Sequence, residues 1–436
     1  MIVTDQEARP SKPRLALFAF GDFAFNLYWQ SALLYLLFYY TEALGLGVER
    51  AAALYLAASI WDGIANFAVG ALVDRYGDGR RCRIAIMVGA VPLGLSFVLA
   101  YAPPPVTGGW ASLFILAGHL LFRTAYAAVN VPYLALSARV SPDSRDRAFV
   151  AGLRMLAGTA AAVTVALGTG WLGTWLLGAG PRAYFGAALL FAGLATAILL
   201  AVGGTTRLAV PEPAPGDRPS IARCLVSLAR NRAFVTLSAA MMAMIAATTI
   251  LNKSVLYYFK YVFGSEGAGQ VALAAMLAVS AAAVPVWMAL AHATGTRRAW
   301  FIAIGLCVAA LAGFAIVGID RIAPMQGFLI FMQAATVGLH FAYWALLPDT
   351  IDYGERTTGV RVEGIVFGLA ALLQRVAIGL ATAILGLSFG KAGYVANVAQ
   401  SAETLADIRW TVALVPLGFF LLSGVVMAFN PLRAGE

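Results

Sequence analysis

The chain has 436 residues, 61% of them hydrophobic and 12% charged, with a formal net charge of +9 and a mean hydropathy of +0.82. No soluble core of this length hides that much apolar surface, so a soluble enzyme or a nucleic-acid-binding domain is excluded in favour of an integral membrane protein. The positive charge then reads as membrane topology and attraction to anionic headgroups.

The N-terminal "MIVTDQEARPSKPR" is polar and leads straight into a full-length apolar run, without the short apolar core and small-residue cleavage site of a signal peptide, so it is expected to be retained. Runs long enough to cross a bilayer, about 20 residues each, recur at 15–43, 51–73, 84–102, 110–138, 148–178, 183–205, 233–262, 267–291, 300–318, 324–347, 364–390 and 407–429. They are rich in Leu, Ala and Gly and lack the alternation of a membrane β-barrel, which predicts twelve transmembrane helices in an all-α polytopic protein. With the N-terminus inside, most Lys and Arg fall in cytoplasmic segments, and the outer segments keep only Arg50, Arg182, Lys260, Arg321, Lys391 and Arg409. Both termini are therefore predicted to be cytoplasmic. Cys82, Cys224 and Cys307 have no metal-ligand spacing and are expected as free thiols.

The one long stretch rich in Pro and charge, residues 205–232, divides the chain into an N-terminal bundle (1–204), a cytoplasmic linker and a C-terminal bundle (233–436). "GALVDRYGDGRR" after the second run has a reduced echo in "LAHATGTRRAW" after the eighth. Two six-helix halves with a binding site between them near the midplane is the arrangement of major facilitator transporters.

"GALVDRYGDGRR" resembles the major facilitator loop signature, which implies a cytoplasmic position and a part in holding the outward-facing state closed there. "IWDGIANFAVGALVDR", "NVPYLALSARVSPDSRDRAFVAGLR" and "DTIDYGERTTGVRVEGIVFGL" resemble, in order along nearly the whole chain, the glycoside-pentoside-hexuronide:cation symporter family. The resemblance implies a sugar symporter of the bacterial-type inner (plasma) membrane. It carries over residue by residue with gaps. A pair of second-helix carboxylates engaged in cation coupling matches Asp62 and Asn66; a first-helix acid that contacts sugar matches Asp22 or Asn26; a fourth-helix sugar-binding acid matches Asn130. A fifth-helix arginine matches Arg154, and an eleventh-helix coupling lysine matches Arg375. With the second carboxylate replaced by Asn66, a sodium-coupled galactoside carrier is not the expectation.

The residues carry their own argument. A charge in hydrocarbon costs roughly 2.5 to 3.5 kcal/mol on insertion scales, and intramembrane acids mark transport pathways. Asp62 and Asn66, at i and i+4, share a helical face. One carboxylate is a poor cage for a hard cation. A buried acid facing an arginine can alternate between protonated carrier and salt-bridge partner, so a proton is favoured over sodium as the coupling ion, with Arg154 the expected partner of Asp62. A fixed ion pair locking two helices is the alternative. Asp22, Asn26 and Gln30 recur every four residues beside Trp29, a mixture of acceptors and aromatic plane that suits sugars; interhelical hydrogen bonding would also explain the amides. Arg123, Tyr126 and Asn130 share a face of the fourth helix. Lys253 joins Arg123, Arg154 and Arg375 as buried bases against Asp22 and Asp62 as buried acids, and this surplus predicts an anionic solute. Snorkelling or deprotonation of Lys253 is the alternative. Tyr343 and Trp344 are placed to stack on solute from the tenth helix, although aromatic core packing explains them too. Asp349, Asp352, Glu355, Arg356, Arg361 and Glu363, with Asp74, Arg75, Asp143, Arg145, Asp146 and Arg147, read as charge networks of a cytoplasmic gate, or else as solvated helix ends.

His119 and His340 have no paired acid or second histidine at ligand spacing and are expected to be hydrogen-bonded within the bundle. Neither a metal cluster nor an activated nucleophile is apparent, so no enzymatic activity, metal or organic cofactor is expected. The chain is expected to act as a monomer on a small-molecule substrate, with the lipid bilayer as its other partner and no nucleic acid. The rival reading is a carrier of an anionic amphiphile, such as a lysolipid or small acidic peptide, with "AAMMAMIAATTIL" lining a lateral opening.

Overall fold

Inside hydrocarbon every backbone N–H and C=O must be satisfied within its own segment, so apolar runs of this length fold as helices. The computed structural model describes residues 11–76, 78–137, 140–141, 144–206, 221–358 and 364–432. The helices in chain order are α1 (Lys12–Leu34), α2 (Leu36–Phe38), a π-helical turn at Tyr39–Ala43, α3 (Val48–Tyr76), α4 (Gly79–Ala100), α5 (Gly109–Ser137), α6 (Ser144–Leu177) and α7 (Pro181–Thr205). After the linker come α8 (Ile221–Arg230), α9 (Arg232–Tyr261), α10 (Glu266–Thr294), α11 (Thr296–Val317), α12 (Ile322–Thr358), α13 (Gly364–Lys391) and α14 (Ala402–Ala428). Eleven of these, α3 to α7 and α9 to α14, are long and apolar enough to cross a membrane. The sequence predicts twelve spans; α1 is the one that does not qualify, because Asp22, Asn26 and Gln30 lower the apolarity of its 23 residues.

Side-chain caps fix where several helices begin. Asp78 accepts from Arg81 N at 2.6 Å at the start of α4, and Ser401 Oγ accepts from Thr404 N at 3.1 Å at the start of α14. Asn231 Oδ1 accepts from Phe234 N at 3.0 Å and opens α9, while its Nδ2 donates to Thr350 O on α12 at 2.7 Å. The stretch expected as a linker thus contains a helix of its own, α8, immediately before α9.

The chain forms two compact units. One comprises residues 1–36 and 64–216, where α1 packs on α6 and α7, and α4 on α5 and α7. The other comprises residues 37–63 and 217–436 and is centred on α9, the most enclosed of the eleven spans, with α10, α12, α13 and α14 around it. Met241 and Met244 of α9 are fully buried in this unit, so these two methionines pack in its core instead of lining a lateral opening. Residues 37–63 belong to this second unit because they lie along α13: Gly386 faces Ala52, Gly379 faces Ser59 and Leu56, and Gly63 meets Leu372. Glycine at such crossings lets two helices approach closely.

The same device operates in the first unit, where Gly173 of α6 abuts the Ala183 carbonyl and Gly186 of α7 abuts the Gly173 carbonyl. Gly173→Ala is expected to destabilise the protein by about 1–3 kcal/mol through overpacking. Gly193→Ala, whose Cβ meets open space, should be neutral or slightly stabilising. Thermal denaturation of the detergent-solubilised variants checks this, and equal shifts would contradict the close crossing.

Candidate functional site

The polar side chains singled out by the sequence fall into two groups on the long helices, one in each unit. In the first unit Asp22 of α1 faces Arg154 of α6, with Asp22 Oδ1 accepting from Arg154 Nε at 3.2 Å and from the guanidinium terminus at 3.0 Å. Gly158, one turn further along α6, makes room: a Cβ there would stand 3.0 Å from Asn26 Nδ2 and 3.4 Å from Asp22 Oδ2. Asn26 donates to Asp22 O at 2.9 Å and to Asp22 Oδ2 at 3.4 Å, and Gln30 Nε2 donates to Asn26 Oδ1 at 3.5 Å. The Arg154 guanidinium lies 5.3 Å from the Tyr133 ring centroid, and Tyr133 is anchored by donating to Phe18 O at 2.8 Å.

Across from this ladder, α5 presents Arg123 and Asn130, both buried. Arg123 Nε donates to His119 Nε2 at 3.2 Å, which makes that nitrogen the unprotonated one, and the guanidinium stands 5.2 Å from the Trp29 ring centroid. Trp29 and Tyr126 lie 6.0 Å apart, centroid to centroid. The structure therefore brings together Asp22, Asn26, Trp29, Tyr126, Arg154 and Arg123, and puts Asn130 one turn beyond Tyr126 on α5.

In the second unit Asp62 of α3 is 1% exposed and pairs with Arg375 Nε of α13 at 2.7 Å. The sequence expectation of an Asp62–Arg154 pair is thus corrected: Arg154 belongs to Asp22 and Asp62 to Arg375. Lys253 of α9 is 4% exposed, with Nζ 3.8 Å from the centroid of the Tyr55 ring, so it does not snorkel to an interface. Tyr55, Ser59 and Asp62 follow at i, i+4 and i+7 on α3 and are all buried. Asn66, one turn after Asp62, is half-buried.

Of the remaining candidates, Trp344 is 46% exposed and stacks on Phe367, whereas Tyr343 is fully buried. Asp349, Asp352 and Glu355 are exposed along the last turns of α12. The side chains of Asp74, Arg75, Arg145 and Arg147, and the whole of Asp143, Arg361 and Glu363, lie outside what the structure describes. Asp146 is buried, accepts from Ser141 Oγ at 3.0 Å and pairs with Lys12 at 2.8 Å, tying the starts of α1 and α6 together. Cys82 and Cys307 are free and buried.

One cluster escapes a reading of the sequence. Glu42, in the π-helical turn that ends the first apolar run, is buried among Lys260, Tyr261 and Tyr394, all of which donate to its carboxylate. Asn397 Nδ2 donates to the Glu42 carbonyl at 2.6 Å, and Thr41 shares a hydrogen bond with Tyr257 at 2.8 Å. Its one sequence signal is an acid at the end of an apolar run; helices with π-turns frequently carry function.

Residues 17–434 match the MFS/sugar transport protein family. The chain is 26% identical to the glucuronide carrier protein homolog of Escherichia coli (strain K12), over 95% of this chain and 91% of that one. It is 25% identical to the isoprimeverose transporter of Lactiplantibacillus pentosus, over 94% and 87%. A putative sulfoquinovose importer of Escherichia coli (strain K12) is 25% identical over 94% and 89%. A bacterial homolog of the human lysosomal transporter Spinster, solved inward-facing and unoccupied, superposes with a TM-score of 0.69 at 14% identity over 97% of each chain, a likeness of fold. Spans, intramembrane charges and family agree: this chain belongs to the MFS/sugar transport protein family, as a multi-pass membrane transporter and not an enzyme.

Proposed function

We propose that the chain is an alternating-access symporter, coupled to protons, that carries a glycoside- or hexuronide-type solute bearing a negative charge across a bacterial-type inner membrane. Both termini are cytoplasmic in this reading, and α1 with its continuation to Ala43 supplies a twelfth span. The observation that carries the coupling is the enclosed Asp62–Arg375 pair. One carboxylate with an amide one turn away offers too few oxygens for a hard cation, whereas a carboxylate released from its arginine takes up a proton. Asp22, Asn26, Trp29, Tyr126, Asn130 and Arg154 form the solute-reading group of the first unit, and Lys253, Trp344 and Arg375 are the solute-reading residues of the second.

The anionic character rests on charge. Apart from the mutually neutralising Glu42–Lys260 pair, Arg123, Arg154, Lys253 and Arg375 are four cations inside the apolar runs against two carboxylates, Asp22 and Asp62. Two relatives are named for a glucuronide and for sulfoquinovose, both acidic sugars. Uptake by proteoliposomes of methyl β-D-glucuronide and of methyl β-D-galactoside, under imposed pH or sodium gradients, tests the reading. A pH gradient should drive glucuronide uptake and a sodium gradient should not. Lys253→Ala should lower uptake of the acid about tenfold or more and of the neutral sugar about twofold or less, as loss of a buried charge contact predicts. Equal losses, a sodium requirement, or inhibition by lysolipid with none by sugars would overturn it.

A further inference from the structure

The hydrogen bonds along α1 have a fixed polarity, and that polarity ends on an acceptor. Arginine can only donate, so Asp22 accepts from Arg154. Asn26 lies against two oxygens of Asp22, its backbone carbonyl at 2.9 Å and Oδ2 at 3.4 Å, so the Asn26 amide nitrogen must occupy that side. Its oxygen is then turned up the helix, where it receives Gln30 Nε2 at 3.5 Å. Flipping either amide would set oxygen against oxygen or nitrogen against nitrogen. The orientation of Gln30 is therefore dictated from two turns away, by the acceptor oxygens of Asp22.

What remains is Gln30 Oε1, an enclosed acceptor that receives no hydrogen bond among the described residues. A buried acceptor left without a donor costs roughly 1–3 kcal/mol. Gln30 as a residue is half-buried, as is its chain neighbour Trp29. Presenting Oε1 to a ligand turns the Gln30 amide and gives up its 3.5 Å contact with Asn26 Oδ1, while the bonds from Asn26 to Asp22 do not depend on it.

We propose that Gln30 is a specificity-determining residue whose Oε1 accepts a hydrogen bond from a hydroxyl of the solute, so that the first unit demands a donor at that point of the ligand. The inference rests on the glycoside reading above and adds to it a chemical requirement: a hydroxyl qualifies, whereas a fluorine, a methoxy oxygen or a carboxylate does not. The acidic group of the solute is thus turned away from Gln30, toward the cationic side chains.

The test is competition against uptake of methyl β-D-glucuronide by its monodeoxy, deoxyfluoro and O-methyl analogues, in the unaltered protein and in Gln30→Met. At one hydroxyl position all three analogues should compete about tenfold more weakly than the parent in the unaltered protein. Gln30→Met should weaken the parent by about tenfold and those analogues no further. Thermal denaturation of Gln30→Met guards against misfolding, and should Met not fold, Gln30→Leu replaces it in the same comparison. Unchanged competition by the parent in Gln30→Met, or losses that simply add between analogue and substitution at every position, overturns the assignment. If no glycoside competes at all, the glycoside reading itself falls, a result distinct from additive losses.

Discussion

Asp62→Asn should abolish accumulation of solute against a gradient, a loss of a hundredfold or more, while the protein still exchanges labelled for unlabelled solute at equilibrium. Asp62 and Arg375 have side chains 1% and 15% exposed, so each is held largely out of water by the other unit members around it. Removing one partner of such a buried pair leaves an uncompensated charge and costs about 3–5 kcal/mol, whereas replacing both with apolar residues of similar volume is often neutral or stabilising. That asymmetry separates the two roles the pair can have. If it merely locks α3 to α13, Asp62→Leu combined with Arg375→Leu recovers both folding and coupled transport. If it carries the coupling proton, the double variant recovers folding, seen as a melting temperature at or above that of the unaltered protein, and remains unable to accumulate solute. The double-mutant cycle in stability and the transport assay are read on the same four proteins. Recovery of accumulation in the double variant would remove the proton-coupling proposal and leave a structural pair.

Why the pairing was not legible in the sequence is physical. A hydropathy reading identifies a carboxylate that must be compensated, and Asp22, Asp62, Arg123, Arg154, Lys253 and Arg375 all stand out as charges inside apolar runs. Which cation meets which acid depends on helix neighbours: α1 lies on α6, which delivers Arg154 to Asp22, and residues 37–63 lie along α13, which delivers Arg375 to Asp62. No local spacing encodes those neighbours. The membrane class, the helical spans and the family were legible because composition, run length and ordered motifs carry them along the chain. α1 was harder: the residues that make it interesting, Asp22, Asn26 and Gln30, are the ones that dilute its apolarity. The glycine approaches at Gly158 and Gly386 show only in three dimensions, since the same residue in another helix meets open space.

Glu42 supplies the second large effect, and for it the sequence offered only an acid at the end of an apolar run. Glu42→Ala is expected to destabilise the protein toward the lower end of the about 3–5 kcal/mol for a broken buried pair, because Lys260 retains a side-chain exposure of 25% and recovers part of its hydration. Glu42→Gln keeps one of the two acceptor oxygens, for either Tyr261 or Tyr394, and should cost about 1–3 kcal/mol. Lys12→Ala, which removes a pair whose lysine is 63% exposed, should cost less than either. The cluster also has a signature in pH. Burial, and then the nearby Tyr257 and Glu42, hold the Tyr394 phenol above its ordinary range. A raised folded-state value means that the stabilisation is fully present below the unfolded tyrosine value of about 10 and is lost as pH rises beyond it. Thermal denaturation should therefore show a fall in stability that sets in above about pH 10. Tyr394→Phe should flatten the part of that fall due to Tyr394 while lowering stability at neutral pH, because the Glu42 carboxylate loses one donor. A Tyr394→Phe protein with the same alkaline slope and the same neutral stability would mean that Lys260 and Tyr261 suffice to hold the Glu42 carboxylate. The link from the loop after α13 to the end of the first apolar run would then rest on Asn397 and its bond to the Glu42 carbonyl.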